Sequence, residues 1–127
     1  MTDTPTQTTK ILFIEDEPFI SELYMRALIK AGYSVKLAKD GDEGFKEAAS
    51  DGYDIVLLDL MMPNMLGLEI LKRLRAEHPN LKAKIIITTN LEQSKDRRTI
   101  IENQADGYLI KAEVTPRQLV DFLSHIK

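Results

Sequence analysis

The sequence predicts an α/β domain built on a doubly wound, five-stranded parallel sheet, and three observations carry that prediction. Five short apolar segments alternate strictly with five helical patterns, and the loops between them are short. Such alternation demands right-handed crossovers and helices on both faces of a parallel sheet. The first and third apolar segments, residues 11–14 and 55–58, are unbroken, as strands buried on both faces are. The second, residues 33–37, alternates apolar and polar with period two, the mark of a half-exposed edge strand. Strand order 2-1-3-4-5 satisfies both constraints.

The 127 residues suit one domain with a single core, and 43% hydrophobic content suits a globular chain. A net charge of −3 carries no electrostatic footprint for nucleic acid, so direct nucleic-acid binding is not expected. With no cysteine, disulfides, thiolate zinc sites and a cysteine nucleophile are excluded. No apolar run approaches the roughly 20 residues needed to span a bilayer, so membrane insertion is not expected. Residues 1–9 are Thr-rich, lack signal-peptide features and read as a disordered tail; residues 10–127 form the domain. A cytoplasmic protein is the natural inference.

Taken in order, the first strand ends in Glu15-Asp16-Glu17, and Pro18 suits the first position of a helix. That helix runs to Lys30 with an apolar stripe of Phe19, Ile20, Leu23, Tyr24, Ala27 and Leu28, and Gly32 closes it. The edge strand follows. Asp40 and Glu43 make a capping-box-like start for a helix through Ala49, and Asp51-Gly52 breaks it. The third strand stops at Asp59. Pro63 cannot extend the ladder and Asn64 favours a turn. A helix from about residue 66 carries Leu68, Ile70, Leu71 and Leu74 on one face and ends before Pro79.

A fourth strand centres on Ile85, Ile86 and Ile87 and ends at Thr88-Thr89-Asn90. Residues 93–104 form the weakest helix, with Ile100 and Ile101 its main apolar content, which makes it a candidate for motion. The fifth strand, residues 107–110, ends at Lys111. Thr115 and Pro116 open a last helix whose stripe is Leu119, Val120, Leu123 and Ile126. The whole is a flavodoxin-like (βα)5 three-layer sandwich.

In that order the first and third strands are neighbours about 4.8 Å apart. Their C-terminal ends bring Glu15, Asp16 and Asp59 into one small volume. The loop after Asp59 is too long for that residue to cap the next helix. Three clustered carboxylates repel one another unless a cation or protons intervene, and Mg²⁺ suits a site with few protein ligands. The fourth strand adds the Thr89 hydroxyl and the fifth adds the Lys111 ammonium. Together these groups would stabilise a phosphoryl group on a carboxylate, with Asp59 as the nucleophile.

The segments ILFIEDEP, IVLLDLMMPNMLG, IIITTN and GYLIKA, in this order and spacing, closely resemble the receiver domain of two-component response regulators. The resemblance covers residues 10–127. It implies transfer of a phosphoryl group from a histidine kinase or histidine phosphotransfer protein onto Asp59, followed by a conformational switch that controls a downstream protein. The protein would be a phospho-acceptor rather than an enzyme turning over a metabolite. The resemblance also implies that Glu15, Asp16, Asp59 and the backbone carbonyl of Met61 hold Mg²⁺. Thr89 and Tyr108 would form a hydroxyl and aromatic switch pair, and Lys111 would contact the phosphoryl group. Glu15 stands where aspartate is commoner, a mild departure.

Such a lysine is usually followed by a cis-proline. Here Ala112 follows, and a cis bond before alanine costs about 2.5–4 kcal/mol, so a trans peptide is expected. Asn90 and Leu91 after the threonine, with Met61 two residues past the aspartate, imply a long-lived phosphoryl group.

Three rival functions meet specific objections in the sequence. An aspartate-nucleophile phosphatase or phosphotransferase would want an acid at position 61. A flavin- or nucleotide-binding module would want a Gly- or Ser/Thr-rich loop after the first strand, where this chain is acidic. A phosphorylation-independent interaction receiver is opposed by the intact set of site residues. His78 and His125 are expected in solvent, Met61, Met62 and Met65 in packing, and Arg97-Arg98 on a solvated helix face. Glu17 is expected to support the acid pocket or cap the first helix.

Overall fold

The computed structural model describes residues 8–62, 64–90 and 94–126. Expectations that fall on residues 1–7, Pro63, Leu91, Gln93 and Lys127 lie outside the described residues. The elements follow one another as β1 (Lys10–Ile14), α1 (Pro18–Lys30), β2 (Ser34–Ala38), α2 (Gly41–Ala49), β3 (Ile55–Asp59), α3 (Gly67–Glu77), β4 (Lys84–Thr89), α4 (Lys95–Gln104), β5 (Gly107–Ile110) and α5 (Pro116–Ser124), with a 3₁₀ turn at Lys111–Glu113. The sheet is parallel throughout, in the order β2-β1-β3-β4-β5.

Side-chain alternation divides the core in two. Leu12, Ile14, Val56, Leu58, Ile85 and Ile87 face α2, α3 and α4. Ile11, Phe13, Ile55, Leu57 and Ile86 face α1 and α5. The central β3 is buried along its whole length, whereas β2 alternates as an edge strand does.

The helix ends follow local chemistry. Pro18 opens α1, and Gly32 takes φ 103° just past its end, a left-handed turn that glycine adopts freely. The Asp40 carboxylate accepts from the Glu43 N–H, and Glu43 reaches back one residue beyond the cap, to the Lys39 N–H. Thr115 and Gln118 form a complete capping box on α5.

Four expectations need correcting. On α1, Phe19 (72% exposed) and Leu23 (43%) face outward, while Ser21, Tyr24 and Leu28 face the core. The apolar arc of α1 is wider than the stripe one sheet face can cover, and Ser21 tolerates burial because its hydroxyl donates to the Pro18 carbonyl at 3.1 Å. The fourth helix starts at Lys95, two residues later than expected, because Ser94 caps it by accepting from the Arg97 N–H. Of its two isoleucines only Ile101 is fully buried. Met61 is 65% exposed, and Met62 takes the packing position instead. His78 is half-buried, its ring 6.1 Å from that of Phe45, because the end of α3 lies against α2.

Candidate functional site

The C-terminal ends of β1, β3, β4 and β5 converge on one acidic pocket. β1 delivers Glu15 (1% exposed), whose N–H donates to the Ala38 carbonyl at 2.9 Å and so fixes the strand exit. Asp16 follows at the exposed rim. Asp59 ends β3 at 4% exposure, paired in register with Thr88 of β4. One carboxylate oxygen each of Glu15, Asp16 and Asp59 lies within 4.8 Å of the others.

The loop after Asp59 is shaped for this approach. Asn64 adopts φ 73°, a left-handed conformation that asparagine tolerates better than most residues. Gly67 begins α3 directly against the strand end: a Cβ there would overlap the Asp59 carbonyl, and the Gly67 N–H donates to the Leu60 carbonyl at 2.9 Å. A side chain at position 67 would push the helix away from the pocket.

Lys111 is the counter-charge. Its ammonium donates to Glu15 Oε1 and lies 3.2 Å from Asp59 Oδ2. The Met61 N–H donates to Asp59 Oδ1 at 3.2 Å, so both Asp59 oxygens are oriented. The Glu17 N–H donates to Glu15 Oε2 at 3.1 Å, so Glu17 supports the pocket through its backbone rather than its exposed side chain. Burial pushes the Glu15 carboxyl above its usual range, the Lys111 hydrogen bond opposes the rise, and the nearby Asp59 charge adds to it. An all-oxygen donor set with surplus negative charge fits a hard divalent cation.

Thr89 ends β4 beside Ile110, 1% exposed. Tyr108 on β5 pairs with Ile87, is half-buried on the α2–α4 face, and carries the Arg98 guanidinium 5.9 Å from its ring centre. The structure thus brings Glu15, Asp16, Asp59 and Lys111 together, with Met61 in the adjoining loop and Thr89 at the neighbouring strand end. Tyr108 stands one strand further out. No cis peptide occurs among the described residues, so Lys111–Ala112 is trans as expected.

One residue near the site does more than the core packing that its place on the α1 stripe predicts. The Tyr24 hydroxyl donates to the Val114 carbonyl at 2.7 Å, over the turn that carries Lys111. Its signal in the sequence was a hydroxyl on a largely aliphatic stripe, and nothing local tells which backbone such a group meets.

Comparison with known proteins gives a consistent result. The family model described as the response regulator receiver domain matches residues 11–124. The transcriptional regulatory protein DltR of Streptococcus agalactiae serotype III is 40% identical over 102 residues, 80% of this chain and 45% of that protein. The chain spans about half the length of most of the curated relatives it matches. Among solved structures, a CheY-like receiver domain protein from Methanospirillum hungatei JF-1 superposes with a TM-score of 0.82 at 27% identity, covering 93% of this chain and 92% of that one. The receiver domain of the sensor histidine kinase PA1611 from Pseudomonas aeruginosa PAO1, solved with a magnesium ion in its active site cleft, gives 0.80 at 26% identity, covering 92% and 95%.

Proposed function

The chain belongs to the response regulator receiver domain family, and from that premise we propose that Asp59 is its phospho-acceptor. An Asp59 carboxylate oxygen attacks the phosphorus of a phosphohistidine on a histidine kinase or histidine phosphotransfer protein. The P–N bond breaks, the imidazole leaves with the bonding pair, and Asp59 becomes an aspartyl phosphate. The observation that carries this reading is the Asp59 carboxylate itself. It is buried at a strand end, held by Lys111 on one oxygen and the Met61 N–H on the other, and lies within 4.8 Å of two further acids.

Glu15, Asp16, Asp59 and the Met61 carbonyl would hold Mg²⁺, whose charge would offset the carboxylates and the incoming phosphoryl oxygens. Lys111 then serves the phosphoryl group as a fixed cation, and Thr89 donates its hydroxyl to it. Inward movement of Thr89 and Tyr108 would pass the change to α4 and so to a downstream protein partner. One or two charge-assisted hydrogen bonds, about 1.5–3 kcal/mol each, suffice to shift a two-state balance of a few kcal/mol. The chain acts as a substrate of phosphotransfer rather than as an enzyme on separate metabolites. We place it in the cytoplasm; no helix among the described residues is long and apolar enough to cross a membrane.

Incubation with acetyl phosphate and Mg²⁺, followed by intact mass measurement, tests the assignment. The protein should gain one phosphoryl group that hydroxylamine removes, and Asp59→Asn should gain none. Label retained on the Asp59→Asn protein would refute the choice of acceptor.

A further inference from the structure

Lys111 reaches the acid pocket from a weakly held root. Its backbone lies in the 3₁₀ turn Lys111–Glu113, closed by the Val114 N–H donating to the Lys111 carbonyl at 3.2 Å. Such short turns have poorer hydrogen-bond geometry than an α-helix. Packing around the lysine stem is incomplete: Lys111 lines a cavity of about 10 Å³ together with Phe13, Leu57 and Leu109. Thr88 lines the same cavity, and its buried hydroxyl has no hydrogen-bond partner.

Tyr24 crosses to this turn from α1. Its hydroxyl donates to the Val114 carbonyl at 2.7 Å and lies 3.4 Å from the Lys111 carbonyl, so one proton serves both ends of the turn. Tyr24 is itself well anchored, 7% exposed, with its ring 6.4 Å from that of Phe13, two residues before Glu15 on β1. The connection therefore closes on itself. From Glu15 it runs back along β1 to Phe13, across to Tyr24, over to the turn, and out along the Lys111 side chain to Glu15 again.

We propose that the Tyr24 hydroxyl is a positioning group for phosphoryl transfer, holding the backbone root of Lys111 so that its ammonium stays on Asp59. The catalytic part of this inference rests on the role given to Lys111 above; the tether itself does not. Phenylalanine fills the same space and keeps the ring contact, so the question narrows to one hydroxyl.

The test compares Tyr24→Phe with the unsubstituted protein, using acetyl phosphate at saturating Mg²⁺. The phosphorylation rate should fall about tenfold, a fraction of the roughly hundredfold that a 1 Å misplacement costs. In a Lys111→Ala background the same substitution should change the rate less than about twofold, because the hydroxyl acts through the lysine. A tenfold loss that persists without Lys111 overturns the proposal, and so does a Tyr24→Phe rate within about twofold of normal.

Amide exchange at Val114, measured without any phosphodonor, should quicken in Tyr24→Phe; unchanged exchange also overturns it. Should Tyr24→Phe fail to fold, the unsubstituted protein still decides: its Tyr24 hydroxyl proton should be protected enough to observe by NMR, and exchange at the solvent rate overturns the tether. A protein that takes up no phosphoryl group at all would sink the functional reading instead, while Val114 exchange would still report whether the hydroxyl holds the turn.

Discussion

At the level of single residues, the polar groups with shifted protonation sit both in the pocket and away from it. Tyr53 donates to Glu47 Oε1 at 2.7 Å, and burial first, then the Glu47 carboxylate, pushes its phenol up to about 12. An unfolded tyrosine ionises near pH 10. Because the folded value is the higher, the stability that the protonated Tyr53 phenol contributes is complete below about pH 10 and is lost as pH rises toward 12. Tyr53→Phe should therefore flatten the alkaline fall of the melting temperature across that window and remove the late phenol from an absorbance titration. Met61 makes a second case. Two residues past Asp59 and 65% exposed, its thioether cannot orient a water for attack on an aspartyl phosphate, and Asn90 beside Thr89 is expected to narrow the path. The phosphoryl group should be long-lived. Met61→Glu should shorten its lifetime about tenfold, short of the roughly hundredfold that a well-placed general base contributes. Decay of the intact phosphorylated mass reads this directly, and an unchanged lifetime would mean that position 61 does not face the attacking water.

Among the elements, α4 is the least anchored. Ile101 is its one fully buried side chain, and a further attachment lies at its C-terminal end, where Arg75 donates to the Gln104 carbonyl at 2.7 Å and to Asp106 at 3.0 Å. Its amides should exchange well ahead of those of β3 and β4 under native conditions. Ile101→Ala should cost about 2–4 kcal/mol, measured by denaturant unfolding, because it empties the helix's main core contact. The existence and order of the five strands and five α-helices were legible in the sequence, since unbroken apolar runs, period-two alternation and proline and glycine breaks are local signals. The choice of buried face on α1 was not: Phe19, Leu23, Tyr24 and Leu28 all fit a helical stripe, and only the packed neighbours decide among them. In the pocket, Glu15, Asp16, Asp59 and Lys111 were legible because strand order alone brings strand ends together. The Tyr24 link to Val114 spans 90 residues of chain and leaves no periodic trace.

For the molecule as a whole, the same pocket ties stability to its ionic surroundings. Any ligand that binds only the folded state stabilises it, by about 2.7 kcal/mol at a hundredfold excess over its dissociation constant. Mg²⁺ should accordingly raise the melting temperature, and Asp59→Asn or Asp16→Asn should remove most of that gain; an equal rise in all three proteins would place the cation elsewhere. Three carboxylates facing one ammonium have a further consequence. The negative surplus repels the phosphorylated anion that the pocket is proposed to receive, and the repulsion is strong because Glu15 and Asp59 are shielded from water. On the proposed function, the donor could enter only once a counter-ion has offset that surplus, and the ion without a donor would transfer nothing. The strand ends would then behave as a coincidence gate: a stray phosphate ester would be turned away, and a signal would be written only when both inputs are present.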